Sequence, residues 1–206
     1  RGMNYGLYNL WKDNLFNKYK AFFLVTNDTI IENKNTLKKL YTILQKNKKI
    51  GILSPCSKKW GENKLLKKNS IKFSWYIHNH AYLLNKDLLL KIINPSSGYK
   101  NFLYDGSNFR GYGLESELIA KAYANNFAAA ITNRVYLEEN EEYLLNHDDL
   151  IKTDSYSKNL ELYYKEGLRW MKKKYGFNNK WLLQNYVKLF YDDFFINNPE
   201  YEKYKI

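Results

Sequence analysis

The chain holds one cysteine, Cys56, which excludes an intramolecular disulfide and any zinc site built from several cysteines. That scarcity suits a reducing compartment. Histidine is almost as rare, with three in all. His78 and His80 are two apart and share a face if extended, but no cysteine, third histidine or nearby acid completes a transition-metal set around them. No run approaches the ~18 apolar residues that a membrane-spanning helix requires. Nucleic-acid motifs are missing as well: there is no zinc-finger spacing, no RNP-like run and no Gly-x-x-Gly clamp.

These absences bear on the net charge of +12. Lys64, Lys67 and Lys68, and again Lys172, Lys173 and Lys174, are dense enough to be surface patches. Lys, Asn, Ile and Tyr are abundant together, which reads as a broad compositional bias more than selection for a polyanion. No nucleic-acid partner is expected. A peripheral hold on an anionic membrane is the more natural use of the charge. The expected location is cytoplasmic, extending to the inner face of a membrane.

Core material is plentiful. Hydrophobic residues make up 45% of 206 positions, with 5 Trp, 20 Tyr and 11 Phe, enough for one α/β domain with a helical tail. Lys20–Val25 is a short apolar run that reads as a buried strand and ends abruptly in Thr26-Asn27-Asp28-Thr29. Thr36–Asn47 is an amphipathic helix with Leu37, Leu40, Tyr41 and Leu44 on one face. A further strand follows, then a loop-rich middle, then strand and helix again. Ser57–Asn69 reads as a polar, basic, mobile loop, Phe73–Ala81 as an extended aromatic segment, and Asn94–Gly98 as a loop. Phe127–Val135 reads as a closing strand.

Beyond Tyr136 the character changes. Leu137–Glu142 is an acidic connector. Leu160, Tyr164, Leu168, Met171 and Tyr175 then mark one helix face, with Gly176 as its C′ residue. Trp181, Leu182, Asn185, Leu189 and Phe190 mark a second helix that closes before Pro199. The expected division is a domain over 1–136 and a helical hairpin over 137–206 packed on it.

Gly111-Tyr112-Gly113-Leu114-Glu115 sets a carboxylate after a Gly-aromatic-Gly turn, at the mouth of a helix running through Tyr123. Two acids in the first turn, Glu115 and Glu117, suit the positive end of the helix dipole. A sharper reading has Glu115 above a pocket as a proton acceptor, with Glu117 as its rival. Asp28 ends the first strand, where ligands gather in open α/β sheets. An aspartate there can hold a hard cation through oxygen, although Asn, Asp and Thr are also ordinary turn formers.

The order of these motifs resembles the family 2 glycosyltransferases of the GT-A fold. Asn4-Tyr5-Gly6-Leu7-Tyr8-Asn9 is similar to the Asn-x-Gly…Asn segment beside the donor nucleotide. Phe22–Ile31 resembles the strand carrying the metal motif, Ile50–Pro55 the next strand, Ala81–Leu88 the strand-then-helix segment after it, and Gly111–Glu115 the segment whose acid is the catalytic base. The likeness spans roughly residues 4 to 135. It departs in two places: only the final carboxylate of the metal motif is kept, and Glu115 stands where Asp is usual. The family's first strand, the helix after it and the acid that reads the base have no counterpart, so the chain is expected to be a fragment or to have lost an upstream part.

The resemblance implies an α/β, Rossmann-like, mostly parallel sheet flanked by helices. It implies an inverting transfer of sugar from a nucleotide-sugar donor to a glycan, lipid-linked or protein acceptor. Glu115 would be the base and Asp28 the holder of a divalent cation, Mn or Mg. Asn4, Gly6, Asn9, Thr26 and Asn27 would bind the donor. Trp75, His80, Asp105, Arg110 and Tyr112 would hold the acceptor. His147 lies near a position where some members keep a histidine for the diphosphate, although Asp148 and Asp149 beside it read equally well as a solvated turn. The non-catalytic alternative is a degenerate domain of this type that binds glycan or protein.

Overall fold

The computed structural model describes residues 2–31, 33–77, 80–140 and 156–206. His78, Glu141, Glu142, His147, Asp148 and Asp149 lie outside them. The elements in chain order are α1 (Gly2–Lys12), β1 (Ala21–Val25), β2 (Thr29–Ile30), α2 (Thr36–Lys46), β3 (Ile50–Cys56), β4 (Ile71–Phe73), β5 (Ala81–Asn85), α3 (Lys86–Ile92), α4 (Leu114–Ala124), β6 (Ala128–Tyr136), β7 (Glu138–Glu139), α5 (Tyr156–Tyr175) and α6 (Lys180–Asn197). Short 3-10 turns join several of them.

Five strands form one sheet in the order β1-β5-β3-β6-β4. Of its neighbouring pairs only β3 and β6 run parallel; β1 with β5, β5 with β3, and β6 with β4 are antiparallel. The sheet is therefore mixed, not mostly parallel. The reason is β5, which returns between β1 and β3 and reverses direction on both sides. Strand direction leaves no mark on apolar patterning, so the sequence could not show this.

Centrality does leave a mark. All seven residues of β3 are buried, and its run Ile50-Gly51-Ile52-Leu53 is nearly continuous apolar sequence, as expected of a strand covered on both faces. At Gly51 an added Cβ would meet Leu88 Cδ2 at 2.5 Å and Phe127 Cβ at 2.8 Å, so the strand needs glycine there to let α3 approach. Helices α2, α3 and α4 pack on the sheet. From α6, Val187, Tyr191, Phe194 and Phe195 enter the same core, where Phe194 meets Phe73 and Tyr123 edge-on and Tyr191 meets Tyr123 edge-on. The second helix of the hairpin is thus part of the main core.

Two loop expectations change. Residues 57–69 carry a 3-10 turn at Gly61–Leu65, with Glu62 and Leu66 buried. Glu138, expected in a solvated acidic connector, is 9% exposed and accepts from Ser57 Oγ at 2.5 Å and Lys58 N at 2.8 Å. The segment from 73 to 81 is strand only to Phe73, after which Ser74–Ile77 is irregular.

Cys56, at the end of β3, is 1% exposed. Burial, and then the charge of Glu62, push its thiol up to about 12. Since the thiolate is the reactive species, a thiol reagent at neutral pH should leave the folded protein untouched and label one site per chain in denaturant. Stoichiometric labelling without denaturant would contradict this burial.

Candidate functional site

The sharp turn before α4 forms as the sequence predicts. Gly111 and Gly113 both have φ of 87°, a region costly for residues with a Cβ, and Gly113 precedes the helix in the left-handed conformation. Asn108 ties the turn down: its Oδ1 accepts from Gly111 N at 3.0 Å and its Nδ2 donates to Tyr112 O at 3.0 Å.

A cavity of about 590 Å³ opens beside this turn at the carboxyl end of β1. Asn4 from α1, Thr26 and Asn27 after β1, and Asp105 and Arg110 from the loop before α4 line it. Five of the predicted site residues, from three distant stretches, thus share one wall. Asn4 has a different job from the one expected. It is 2% exposed, and its Nδ2 donates to Lys100 O (3.0 Å) and Tyr104 O (2.7 Å). Its Oδ1 accepts from Leu103 N (3.2 Å) and Tyr104 N (2.9 Å). The amide is saturated by the 100–104 backbone, which it clamps to α1. Gly6 does not line this cavity but an adjoining groove between α1 and β1, and Asn9 is half-buried and not in the lining.

Thr26 is also engaged. Its Oγ1 bonds Thr29 Oγ1 at 2.9 Å and donates toward His80 O at 3.2 Å. His80 is 1% exposed, so its ring lies inside the fold and not on an open acceptor cleft. Asp28 is half-buried, and its carboxylate Oδ1 is shielded from solvent without a hydrogen-bond partner. That orphaned oxygen is what a hard cation could use. Magnesium is commonly held by one or two carboxylates with substrate phosphates and water completing its shell. Asp28 fits as such a single-carboxylate anchor, with Thr29 beside it.

Arg110 and Asp105 are drawn toward α5. Arg110 is ion-paired with Glu166. Asp105 accepts from Trp170 Nε1 at 3.0 Å and Lys174 Nζ at 2.8 Å. Burial raises the Asp105 carboxyl, but hydrogen bonds from Lys174, Ser107 and Trp170 outweigh it and hold the group well below the usual carboxylate range. Lys174 also binds Glu117 at 3.0 Å, and Lys121 pairs with Glu117 at 2.9 Å. Glu117, the rival base, is therefore neutralised twice.

Glu115 is 2% exposed and its Oε1 lies 2.5 Å from Lys180 Nζ, at the start of α6. The ammonium also sits over the rings of Tyr112 (5.0 Å) and Tyr76 (5.8 Å). Tyr76, Tyr82, Tyr104, Tyr112 and Tyr163 surround the acid closely enough to feel its charge; burial raises their hydroxyls first and Glu115 adds to it. The carboxylate is therefore buried in a tyrosine-rich surrounding, with Lys180 as its paired cation. Neither Glu115 nor Asp28 lines the 590 Å³ cavity. The two acids expected across one crevice do not meet on its wall.

Helix α4 is buried over most of its circumference, including Glu115, Ser116 and Glu117, because the hairpin covers the face that its sequence marks as polar. Trp170, Met171 and Leu183 form a small apolar cluster against Tyr112 and Leu114. Gly167 lets α5 approach: an added Cβ would stand 2.4 Å from Tyr112 Cβ. Trp75, predicted with the acceptor residues, lines a separate cavity of about 460 Å³ with Tyr76, Lys180 and Trp181. Tyr112 packs edge-on against Tyr163 and Tyr164.

Sequence reasoning missed Lys180. A signal was present: a lysine at the first position of a helix opposes the dipole, even though Asn179 caps that helix by accepting from Leu182 N at 2.9 Å. A locally unfavourable charge of this kind points to a partner elsewhere in the fold. No family model, curated protein or solved structure matches this chain.

Proposed function

We propose that the chain is a glycosyltransferase of GT-A type that moves a sugar from a nucleotide-sugar donor to a glycan, lipid-linked or protein acceptor. One observation carries this reading: the cavity at the carboxyl end of β1 is lined by Asn4, Thr26 and Asn27, expected at the donor, together with Asp105 and Arg110, expected at the acceptor. Its volume suits a small ligand, and Arg110, paired with Glu166 in this structure, would have to exchange that carboxylate for a phosphate oxygen to serve the donor.

In this mechanism an acceptor oxygen attacks the anomeric carbon as the bond to the diphosphate breaks, and the leaving group takes the electron pair. Glu115 takes the acceptor proton. For that its salt bridge to Lys180 must open, since the ammonium 2.5 Å away occupies the oxygen that would take the proton. Asp28 would hold a divalent cation, which when bound neutralises charge on the departing diphosphate.

The Lys180–Glu115 pair also favours a second reading, a GT-A-like module that binds without turnover. Calorimetric titration with UDP and GDP in manganese, with UDP-sugars and GDP-sugars as turnover substrates, separates them. The enzyme reading expects nucleotide binding that Arg110→Ala weakens at least tenfold, and turnover that Glu115→Gln lowers about 100-fold or more. Binding without turnover selects the module. If neither nucleotide binds, both readings of the cavity fail.

A further inference from the structure

The 460 Å³ cavity on the hairpin side has a lining unlike the first. Trp75, Tyr76 and Trp181 supply flat aromatic surface, and Glu62, Gln184 and Lys180 supply an acid, an amide and an ammonium. A tight turn builds the platform: Ser74 Oγ donates to Tyr76 O at 2.6 Å and accepts from Tyr76 N at 3.1 Å. Tyr191 meets the Trp75 ring edge-on at 5.0 Å, and Lys188 Nζ lies 5.5 Å from its centroid. Trp75 is therefore held in place before any ligand arrives. Trp181 is 67% exposed at the mouth, an expensive position for an indole.

We propose that this cavity binds an uncharged oligosaccharide chain. A pyranose has a C–H-rich face that lies flat on an indole and a rim of hydroxyls that both donate and accept. The lining offers that pairing: aromatic faces, with a carboxylate, an amide and an ammonium at the edge. Glu62 and the Glu115 behind Lys180 nearly balance Lys180 and Lys188, so the cavity selects neither a polyanion nor a polycation. Lys180 links this cavity to the enclosed acid, because its ammonium borders the cavity and contacts Glu115. A hydroxyl entering here reaches Lys180 first, and a sugar that draws Lys180 aside uncovers the base. Naming this chain as the acceptor rests on the glycosyltransferase reading; its binding does not.

The test uses intrinsic tryptophan fluorescence during titration with cellopentaose, maltopentaose and chitopentaose. At least one should give a saturable change. Trp181→Ala should weaken that response at least tenfold, whereas Trp11→Ala, on α1 and remote from the cavity, should leave its midpoint unchanged. Because Trp181 is largely exposed, its removal should keep the circular dichroism spectrum intact. No saturable response to any of the three sugars, or a midpoint indifferent to Trp181→Ala, overturns the proposal. So does a Trp181-dependent association with phosphatidylcholine–phosphatidylglycerol vesicles in place of sugar binding, since the exposed row continues along α6 through Leu182, Leu189 and Ile196. Nucleoside diphosphate binding is measured separately at the first cavity, so either conclusion can fail without the other.

Discussion

Asn4→Ala is expected to lower the stability of the protein by about 2–4 kcal/mol, at four hydrogen bonds of roughly 1 kcal/mol each with partial rescue by water. The side chain satisfies two carbonyls and two N–H groups of residues 100–104, and is 2% exposed. Alanine would leave those backbone groups without protein partners. Asn4→Asp should be nearly as harmful, because it turns the donor toward Lys100 O and Tyr104 O into a further acceptor. Urea denaturation reads this directly as a lower midpoint at unchanged slope. A loss below about 1 kcal/mol would show that the clamp is dispensable. The measurement also separates two roles for one residue, since a donor-binding asparagine would weaken nucleotide binding and leave the midpoint alone.

Lys180→Met should cost about 3 kcal/mol, near the lower end for breaking a buried pair, because Lys180 keeps some solvent contact. Its side chain is 22% exposed while that of Glu115 is 2% exposed. Methionine preserves length and most packing, so the cost arises from a carboxylate left in a tyrosine-rich surrounding without its cation. Adding Glu115→Gln should recover most of the loss, and the double-mutant cycle should give a coupling above about 1 kcal/mol. A coupling below about 1 kcal/mol would refute the pairing as the source of the effect.

The same pair shapes the functional argument. Were the chain an enzyme with a preformed base, the acid after Gly111-Tyr112-Gly113 would face the cavity lined by Arg110 and Asn27. It is instead enclosed, with Lys174 and Lys180 bracketing the acids of α4 from the two arms of the hairpin. Catalysis then requires the start of α6 to give way, and the 460 Å³ cavity is where a ligand could press on it.

Much of the secondary structure was legible in the chain. The runs at 20–25, 50–55 and 127–135 predicted β1, β3 and β6; the periodicity of 36–47 and of 114–123 predicted α2 and α4; and Gly176, at φ of 76°, ends α5 as expected. These are local consequences of apolar spacing and of residues that tolerate unusual backbone angles. The convergence of Thr26, Asn27, Asp105 and Arg110 was also foreseeable, because strand ends and the loops before helices meet at one edge of an α/β sheet.

Strand direction, burial of polar groups and the choice of ion-pair partner were not. Antiparallel β5 looks the same in sequence as a parallel strand. Asn4 reads alike whether it holds a ligand or a loop a hundred positions away. Glu115 and Glu117 follow the pattern of solvated first-turn acids, and only the docking of α5 and α6 over α4 turns them into buried carboxylates gripped by Lys174 and Lys180. A charge's partner depends on which surfaces pack together, and packing is a property of the whole folded chain; periodicity along one segment carries no record of what covers it.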